Sequence, residues 1–407
     1  MGLTTSDLRE RIRRLPGMGR LLPALAGLPP MYLVGGAVRD LLRGAHAVDL
    51  DLAVEGDARS VARALAARLG GTTREHERFG TATVRTDVLS FDLAATRTET
   101  YDEAGALPRV APAPLSDDLM RRDFTVNAMA IALAGDDLGH LHDPHGGLAD
   151  LDAGMVRILH PGSFLDDPTR LLRAVRYESR LGFRMDDDTE RRARAAVAED
   201  AMSTVSGARV RDELIDLLTE LEAPAAVERM RELGLDRGLH PALDPDPELV
   251  ASASLAAVAL GADRGRASLA ALIAAAPEEL DEWLAGLHLD AQARDGVSRA
   301  ARVAPDLARE LRARARIPSE LRDLLGGEPP EALALALALG APPEPVLRWV
   351  TELSGVTLEI GGDDLLAAGV PEGPAVGRAL EETLRRKLDG LVKGREDELR
   401  TALELAR

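Results

Sequence analysis

Six residues that alternate without a break, Val48-Asp49-Leu50-Asp51-Leu52-Ala53, constrain this chain more than any other stretch. Successive side chains of a strand point to opposite faces, so Val48, Leu50 and Leu52 share an apolar side while Asp49 and Asp51 share the other. Two carboxylates spaced in this way converge on a divalent cation. Just upstream lies Leu33-Val34-Gly35-Gly36-Ala37-Val38-Arg39-Asp40. Gly35 and Gly36 leave backbone N–H groups unshielded by any Cβ, in the kind of turn that cradles phosphate, and Arg39 adds a fixed cationic fork. A glycine pair followed by an acid pair points to phosphoryl or nucleotidyl transfer from a triphosphate.

Further along, the apolar spacing of residues 57–69 predicts a helix stopped by Gly70-Gly71, and residues 81–86 and 88–94 read as strands. On the second strand Leu89, Phe91 and Leu93 share one face and Asp92 stands on the other, as a candidate third carboxylate. Residues 97–114 are polar and punctuated by Pro and Gly, which predicts a mobile loop. Arg121-Arg122-Asp123-Phe124-Thr125-Val126-Asn127 places paired arginines beside an acid and an amide, groups suited to triphosphate and ribose. Asp166-Asp167-Pro168-Thr169-Arg170 opens a helix, with Pro168 in the tolerant first turn and Asp167 placed to cap. From there Arg170, Arg173, Arg176 and Arg180 form a basic stripe, with Leu171, Leu172, Val175 and Leu181 supplying the packing side. A carboxylate accepts from the exocyclic amines of cytosine and adenine, and an arginine donates to a ring nitrogen or carbonyl. Read by themselves, Asp167 and Arg170 fit a helix cap and a water-facing arginine as well as an acceptor and donor set for those two bases, a set that would mispair with uracil and guanine.

The Gly-Gly and Asp-x-Asp block, the Arg-Arg-Asp string and the Asp-Asp-Pro-Thr-Arg helix resemble the motifs of the class II tRNA nucleotidyltransferases. These are the CCA-adding enzymes and related poly(A) polymerases of the polymerase β superfamily. The resemblance implies an α/β nucleotidyltransferase head with a mixed sheet, followed by an all-helical neck, body and tail. It implies catalytic Asp49, Asp51 and Asp92, with Mg²⁺ on Asp49 and Asp51. Nucleotide contacts fall to Gly35, Gly36, Arg39, Arg121, Arg122, Asp123, Asn127, Asp167, Arg170, Arg173 and Arg176, with protein acting as template. The implied reaction adds C and A to the 3′ end of tRNA from CTP and ATP and releases pyrophosphate. A-adding-only, CC-adding-only and poly(A) enzymes, and non-catalytic RNA-binding relatives, share these motifs.

The implied organisation is a head over residues 1–155, a neck over 156–240, a body over 241–345 and a tail over 346–407 with tRNA-binding character. Beyond 240 the chain turns Ala/Leu-rich, with helical stretches at 254–260, 269–273 and 332–339. In the tail, Gly373-Pro374 exposes a helix N-terminus, and Arg385-Arg386-Lys387, Lys393 and Arg395 supply positive charge. A solvated helix face reads equally well there.

The formal charge of −18 excludes a generally basic coat, so RNA affinity must come from local arginine clusters. The absence of cysteine excludes disulfide partners and thiolate-bound zinc and leaves carboxylate and imidazole as metal ligands. His140-Leu141-His142-Asp143-Pro144-His145 imitates a zinc site. However, Gly146-Gly147 after it matches a turn segment of the same family, and Pro144 breaks the spacing that would aim three rings at one ion. No apolar run reaches the roughly 20 residues that span a bilayer, and the N-terminus lacks a signal-peptide pattern, so the expected location is cytoplasmic.

Overall fold

A computed structural model describes residues 4–45, 49–76 and 80–406. Val48, the first residue of the alternating run, lies outside them. The chain divides into two compact units, Met1–Ser206 with Glu232–Gly238, and Gly207–Arg231 with Leu239–Arg407.

The first unit begins with helices α1 (Thr5–Arg14) and α2 (Met18–Ala24). Its centre is a mixed sheet containing β1 (Met31–Val34), β2 (Leu50–Val54), β3 (Thr72–His76), β4 (Thr81–Arg85) and β5 (Ser90–Ala95). A two-stranded hairpin of β6 (Arg97–Thr100) and β7 (Arg109–Pro112) follows, and β8 (Ala130–Ala132) and β9 (Leu141–His142) complete the sheet. Among the described residues the order is β3-β4-β5-β2-β1-β8-β9. β2 and β5 are parallel, and the other neighbouring pairs are antiparallel.

The alternation read from the sequence is realised in β2 and β5. Leu50, Leu52, Phe91 and Leu93 are buried, while Asp51 and Asp92 stand on the exposed face. Helix α3 (Gly36–Leu42) leaves the glycine pair directly, and α4 (Ala58–Leu69) packs Val61, Ala62, Leu65 and Leu69 inward. Helix α4 starts on Asp57, whose carboxylate accepts from Arg59 N–H, and ends on left-handed Gly70, as its sequence predicts.

The segment expected to be a mobile loop is the β6–β7 hairpin. Its threonines and Val110 suit paired strands, and Pro112 is tolerable because β7 is an edge. The connecting turn is docked. Gly105 (φ +70°) donates its N–H to Leu165 O, and a Cβ at this glycine would lie 2.7 Å from the Thr204 carbonyl oxygen. Only glycine fits both that backbone conformation and that approach.

Helix α5 (Leu115–Met120) contributes Leu115 and Leu119 to a core with Val34, Ala53 and Ala130. Helix α6 (Gly147–Ala153) is anchored by Asp143, which accepts from the Gly147 and Leu148 N–H groups, so the acid of the histidine-rich segment shapes a turn. His140 and His142 pack edge to face 4.8 Å apart, and Tyr32 meets His142 in the same manner. Helix α7 (Ser163–Asp166) is one turn long and leads into α8 (Thr169–Leu181), whose Leu171, Leu172, Val175 and Leu181 are buried.

The second unit is helical. Ala257, Ala267 and Ala334 come from helices Pro247–Leu260, Arg264–Leu272 and Pro330–Ala338 and share one core, where small side chains let helices approach closely. The Ala/Leu alternation is thus helical, as composition indicates over periodicity. Ile360, Leu365, Ala379 and Ala402 build a separate C-terminal cluster. The helix Pro374–Leu388 begins at Gly373 without a side-chain cap, but the positive charge near it has partners in the same unit. Lys387 Nζ donates to buried Glu398, Arg386 pairs with Glu382, Arg385 with Asp323 and Arg395 with Asp364. Among the described residues no helix is long and apolar enough to cross a membrane.

Candidate active site

The exposed face of β2 and β5 holds Asp51 and Asp92 side by side, because parallel pairing puts these two residues in register. Thr83 Oγ1, on the neighbouring strand β4, donates to Asp92 Oδ1 at 2.6 Å and fixes its rotamer. Asp49, one residue before β2, is exposed. Loss of solvent around the Asp51 carboxyl, then the negative charges of Asp92 and Asp49, push its pKa upward against the pull of Arg122. Asp51 therefore senses the charge of both other carboxylates expected from the sequence. Among the described residues no three acidic or histidine side chains stand close enough to enclose an ion by themselves. Mg²⁺ sites that use one or two carboxylates take water and substrate phosphate oxygens for the remaining positions, and the hard oxygen donors here fit that description.

Arg122 joins this face to the glycine turn. Its Nη2 donates to Asp118 Oδ2 at 2.9 Å, and its buried Nε has no hydrogen-bond partner in the protein. Its Nη1 would lie 2.8 Å from a Cβ on Gly35. Gly35 also has φ +66° and ψ −134°, a combination close to glycine-only. A Gly35→Ala variant is expected to lose about 1–3 kcal/mol of stability and to displace the Arg122 head. A chemical denaturation curve matching the parent would show that the turn tolerates a side chain.

Arg39, expected as a phosphate fork, is buried and engaged inside the chain. It forms a bidentate pair with Asp40, donates Nη1 to Asn127 Oδ1 at 2.7 Å and lies over the Tyr177 ring. Asn127 Nδ2 in turn donates to Asp123 Oδ1, and Arg173 donates Nε and Nη2 to Asp123 Oδ2. The structure thus threads five sequence-predicted residues or their neighbours, Asp40, Arg39, Asn127, Asp123 and Arg173, into one chain of charge-assisted bonds that is buried at its centre and half-buried at its two ends. Arg176 reaches the same Tyr177 ring.

Burial alone would raise the Asp123 pKa, but Arg173, Asn127 and Arg170 overcome it and hold the carboxyl at about 2, below the ordinary 3.8. A depressed carboxyl contributes stability above its unfolded value that is lost as pH falls through the folded one. The stability difference between the parent and Asp123→Asn should therefore be constant at neutral pH. It should shrink by about 2 kcal/mol, to order of magnitude, as pH falls from 3.8 toward about 2. Denaturation curves recorded across that window test the assignment, and a pH-independent difference would break it.

Arg121 faces away from this chain, toward the hairpin. It pairs with Asp118 through Nε and Nη2 and with Glu99 through Nη1, and Tyr101 O–H donates to the other Glu99 oxygen. Burial and then Glu99 raise the Tyr101 pKa to about 12, so its hydroxyl stays protonated. Asp118 is buried, yet Arg122 and Arg121 outweigh burial and hold its pKa below the usual range. A cleft of about 630 Å³ opens beside this cluster, lined in part by Tyr101, Met120, Arg121, His160, Asp166 and Arg170.

Asp167 and Arg170, the pair expected from the sequence to read the base, sit at the start of α8. Arg170 lines the cleft, donating Nη1 to Ser163 Oγ at 2.6 Å and Nη2 to the Arg121 carbonyl at 2.9 Å. Asp167 accepts from both Thr169 N–H and Thr169 Oγ1, the helix-cap geometry its position predicts. Residues that motif reading passed over are Asp118, Glu99 and Tyr177. Asp118 could have been found from its spacing, three and four residues before the paired arginines, and Tyr177 from its position four after Arg173. Glu99 shows its local partners through spacing, Arg97 and Tyr101 two residues to either side, but its link to Arg121 spans 22 residues and has no local signal.

A poly A polymerase head-domain model matches residues 31–157, and a model described as a probable RNA- and SrmB-binding site of polymerase A matches 182–246. The A-adding tRNA nucleotidyltransferase of Geobacter sulfurreducens is 35% identical over 406 residues, covering 93% of this chain and 45% of that protein. The CC-adding tRNA nucleotidyltransferase of Deinococcus radiodurans is 33% identical over 402 residues, covering 92% and 88%. A Thermotoga maritima CCA-adding enzyme solved with tRNA is 30% identical with a TM-score of 0.73, covering 99% of this chain and 98% of that one. The chain spans less than half the length of the A-adding relatives from G. sulfurreducens, Halalkalibacterium halodurans and Aquifex aeolicus. With paired carboxylates on β2 and β5, an arginine pair behind them and near-full-length likeness to both CC-adding and CCA-adding proteins, the chain belongs to the CCA-adding family of tRNA nucleotidyltransferases.

Proposed function

We propose that the chain adds C and A residues to the 3′ end of tRNA from CTP and ATP, with no nucleic-acid template. The observation that carries this reading is the in-register pair Asp51 and Asp92 beside Arg122 and the Gly35 turn, an acidic surface with a cationic wall. In the reaction, the tRNA 3′-oxygen forms a bond to the α-phosphorus, loses its proton, and the bond from that phosphorus to pyrophosphate breaks.

Asp49 and Asp51, with Asp92 beside them, would hold a pair of Mg²⁺ ions. When bound, such ions offset charge on the attacking and leaving oxygens. The chain's own residues bind and orient. Arg122, which lies between Asp51 and the Gly35 turn, would supply guanidinium N–H groups to phosphate, while the Gly35 N–H is itself donated to the Met129 carbonyl. The buried bonds of Arg39, Asn127, Asp123 and Arg173 hold the nucleotide body's surroundings rigid, so orientation costs little at the moment of reaction. Arg170, which lines the cleft, and Asp167 three residues before it would read the base edge.

The proposed division is a head over 1–155, a neck over 156–240, a body over 241–345 and a tail over 346–407 that meets tRNA. Internal pairing of the tail arginines directs the search for RNA contacts toward other surfaces as well. Likeness to A-adding relatives makes addition of the terminal A alone the second reading. Incubation with tRNA lacking its 3′ end, and with tRNA lacking only its last residue, separates the two when CTP, ATP and both are supplied in turn. Extension of the fully truncated tRNA supports the first reading. Extension of the longer primer alone, by ATP alone, establishes the second, and no extension of either removes both.

A further inference from the structure

Each member of the proposed base-reading pair is held by a buried hydroxyl. Ser163 is wholly buried and Thr169 is 4% exposed. Ser163 Oγ accepts from Arg170 Nη1 at 2.6 Å, and Thr169 Oγ1 donates to Asp167 Oδ1 at 2.6 Å. Both distances are at the short end for such bonds, as expected where one partner is charged. Pro168 follows Asp167 directly, and its ring fixes the backbone between the two readers. Arg170 is further held by the Arg121 carbonyl. A guanidinium carries five N–H groups, and these two bonds use two of them, so the anchoring still leaves donors for a base edge.

We propose that Ser163 and Thr169 are positioning residues that set base discrimination by fixing Arg170 and Asp167 before the nucleotide arrives. This inference rests on the reading of Asp167 and Arg170 as the protein template. The argument is one of preorganisation. A flexible arginine and carboxylate can each turn to present donors or acceptors in other registers and so accommodate the edges of uracil or guanine. A pair locked by neighbours leaves the wrong base with unmatched polar groups. Both hydroxyls are buried and make no contact with substrate in this reading, so their effect passes through the residues they hold. A residue needed only for folding would move stability without moving the ratio between nucleotides.

The test uses the full chain with a truncated tRNA primer and compares kcat/KM for CTP, ATP, UTP and GTP. Thr169→Val removes the hydroxyl at nearly constant volume, Ser163→Ala removes the other anchor, and Thr169→Ser restores a hydroxyl at the first position. Loss of a charge-assisted bond corresponds to roughly a tenfold change, so discrimination against UTP and GTP should fall about tenfold in Thr169→Val and in Ser163→Ala. Thr169→Ser should keep the parent ratio. Melting temperatures measured in parallel separate this from general destabilisation, and either removal variant suffices if the other does not fold. Asp167→Ala serves as the reference. If it relaxes discrimination while Ser163→Ala and Thr169→Val keep the parent ratio, the positioning role is overturned and the template reading stands. If Asp167→Ala leaves discrimination intact, the template reading and the inference fall together.

Discussion

Asp51→Asn is expected to reduce nucleotide transfer by several powers of ten while leaving the protein folded and at least as stable as the parent. Asp51 sits on the exposed face of β2 in register with Asp92, and solvent loss, Asp92 and Asp49 together raise its pKa above the ordinary 3.8. For an acid whose folded pKa is raised, stability is fully present below the unfolded value and is lost as pH rises through the folded one. At neutral pH the fold therefore carries a cost for this charge, and a neutral, near-isosteric amide relieves it. Function and stability pull in opposite directions at such a position, because the crowding of negative charge that strains the protein is what attracts a cation. Two measurements check the account. Thermal unfolding at neutral pH should give Asp51→Asn a melting temperature equal to or above the parent's. Added Mg²⁺ with a nonhydrolysable triphosphate should raise the parent's melting temperature more than the variant's, since only a species bound to the folded state stabilises it. Parent-like turnover by Asp51→Asn in magnesium buffer would falsify the assignment of Asp51 to the metals.

How far the sequence alone carried depended on the range of the interaction. Local periodicity placed β2, β5, α4 and α8, because burial of Leu50, Leu52, Phe91 and Leu93 on one face is an alternation that any reader of the chain can see. That Asp51 and Asp92 stand beside each other was less accessible. It requires β2 to pair with β5 across 41 residues in a parallel register, and nothing local specifies that register. The loop over 97–114 became a hairpin for a similar reason. Its Pro and Gly residues are honest signals of turns, but the pairing of Thr98 with Ala111 and the docking of Gly105 beside Thr204 are decided by tertiary contacts. Arg39 and Arg121 illustrate the limit for side chains. Their motifs announced positive charge near phosphate, whereas their guanidinium groups pair with Asp40, Asp118 and Glu99. An arginine beside an acid in sequence has two possible destinations, and only the folded chain distinguishes a contact from a brace.

Asp167→Ala is expected to relax selectivity toward UTP and GTP by about one to two powers of ten, the size of a ~1–3 kcal/mol loss of base-edge discrimination. The carboxylate is the only acceptor in the proposed reading pair, and the exocyclic amine it would accept from is shared by cytosine and adenine but absent at the matching position of uracil. Asp167 has a second task, since it accepts from Thr169 N–H and the Thr169 hydroxyl at the start of α8. Truncation to alanine therefore also removes a helix cap, a change of about 1 kcal/mol in stability. Asp167→Asn separates the two tasks, because its amide oxygen can still cap while its NH₂ group offers a donor where a carboxylate has none. If Asp167 reads the base, both variants lose discrimination, and only alanine loses the cap's share of stability. If it is a cap alone, Asp167→Asn should behave as the parent in both respects, and Asp167→Ala should melt earlier with its nucleotide preferences unchanged. Measuring kcat/KM for all four triphosphates on one tRNA primer, with tRNA affinity and melting temperature recorded for each variant, decides between these outcomes. A collapse of tRNA affinity with unchanged nucleotide ratios would move the base reader away from α8 and leave Asp167 as part of the RNA-contact surface.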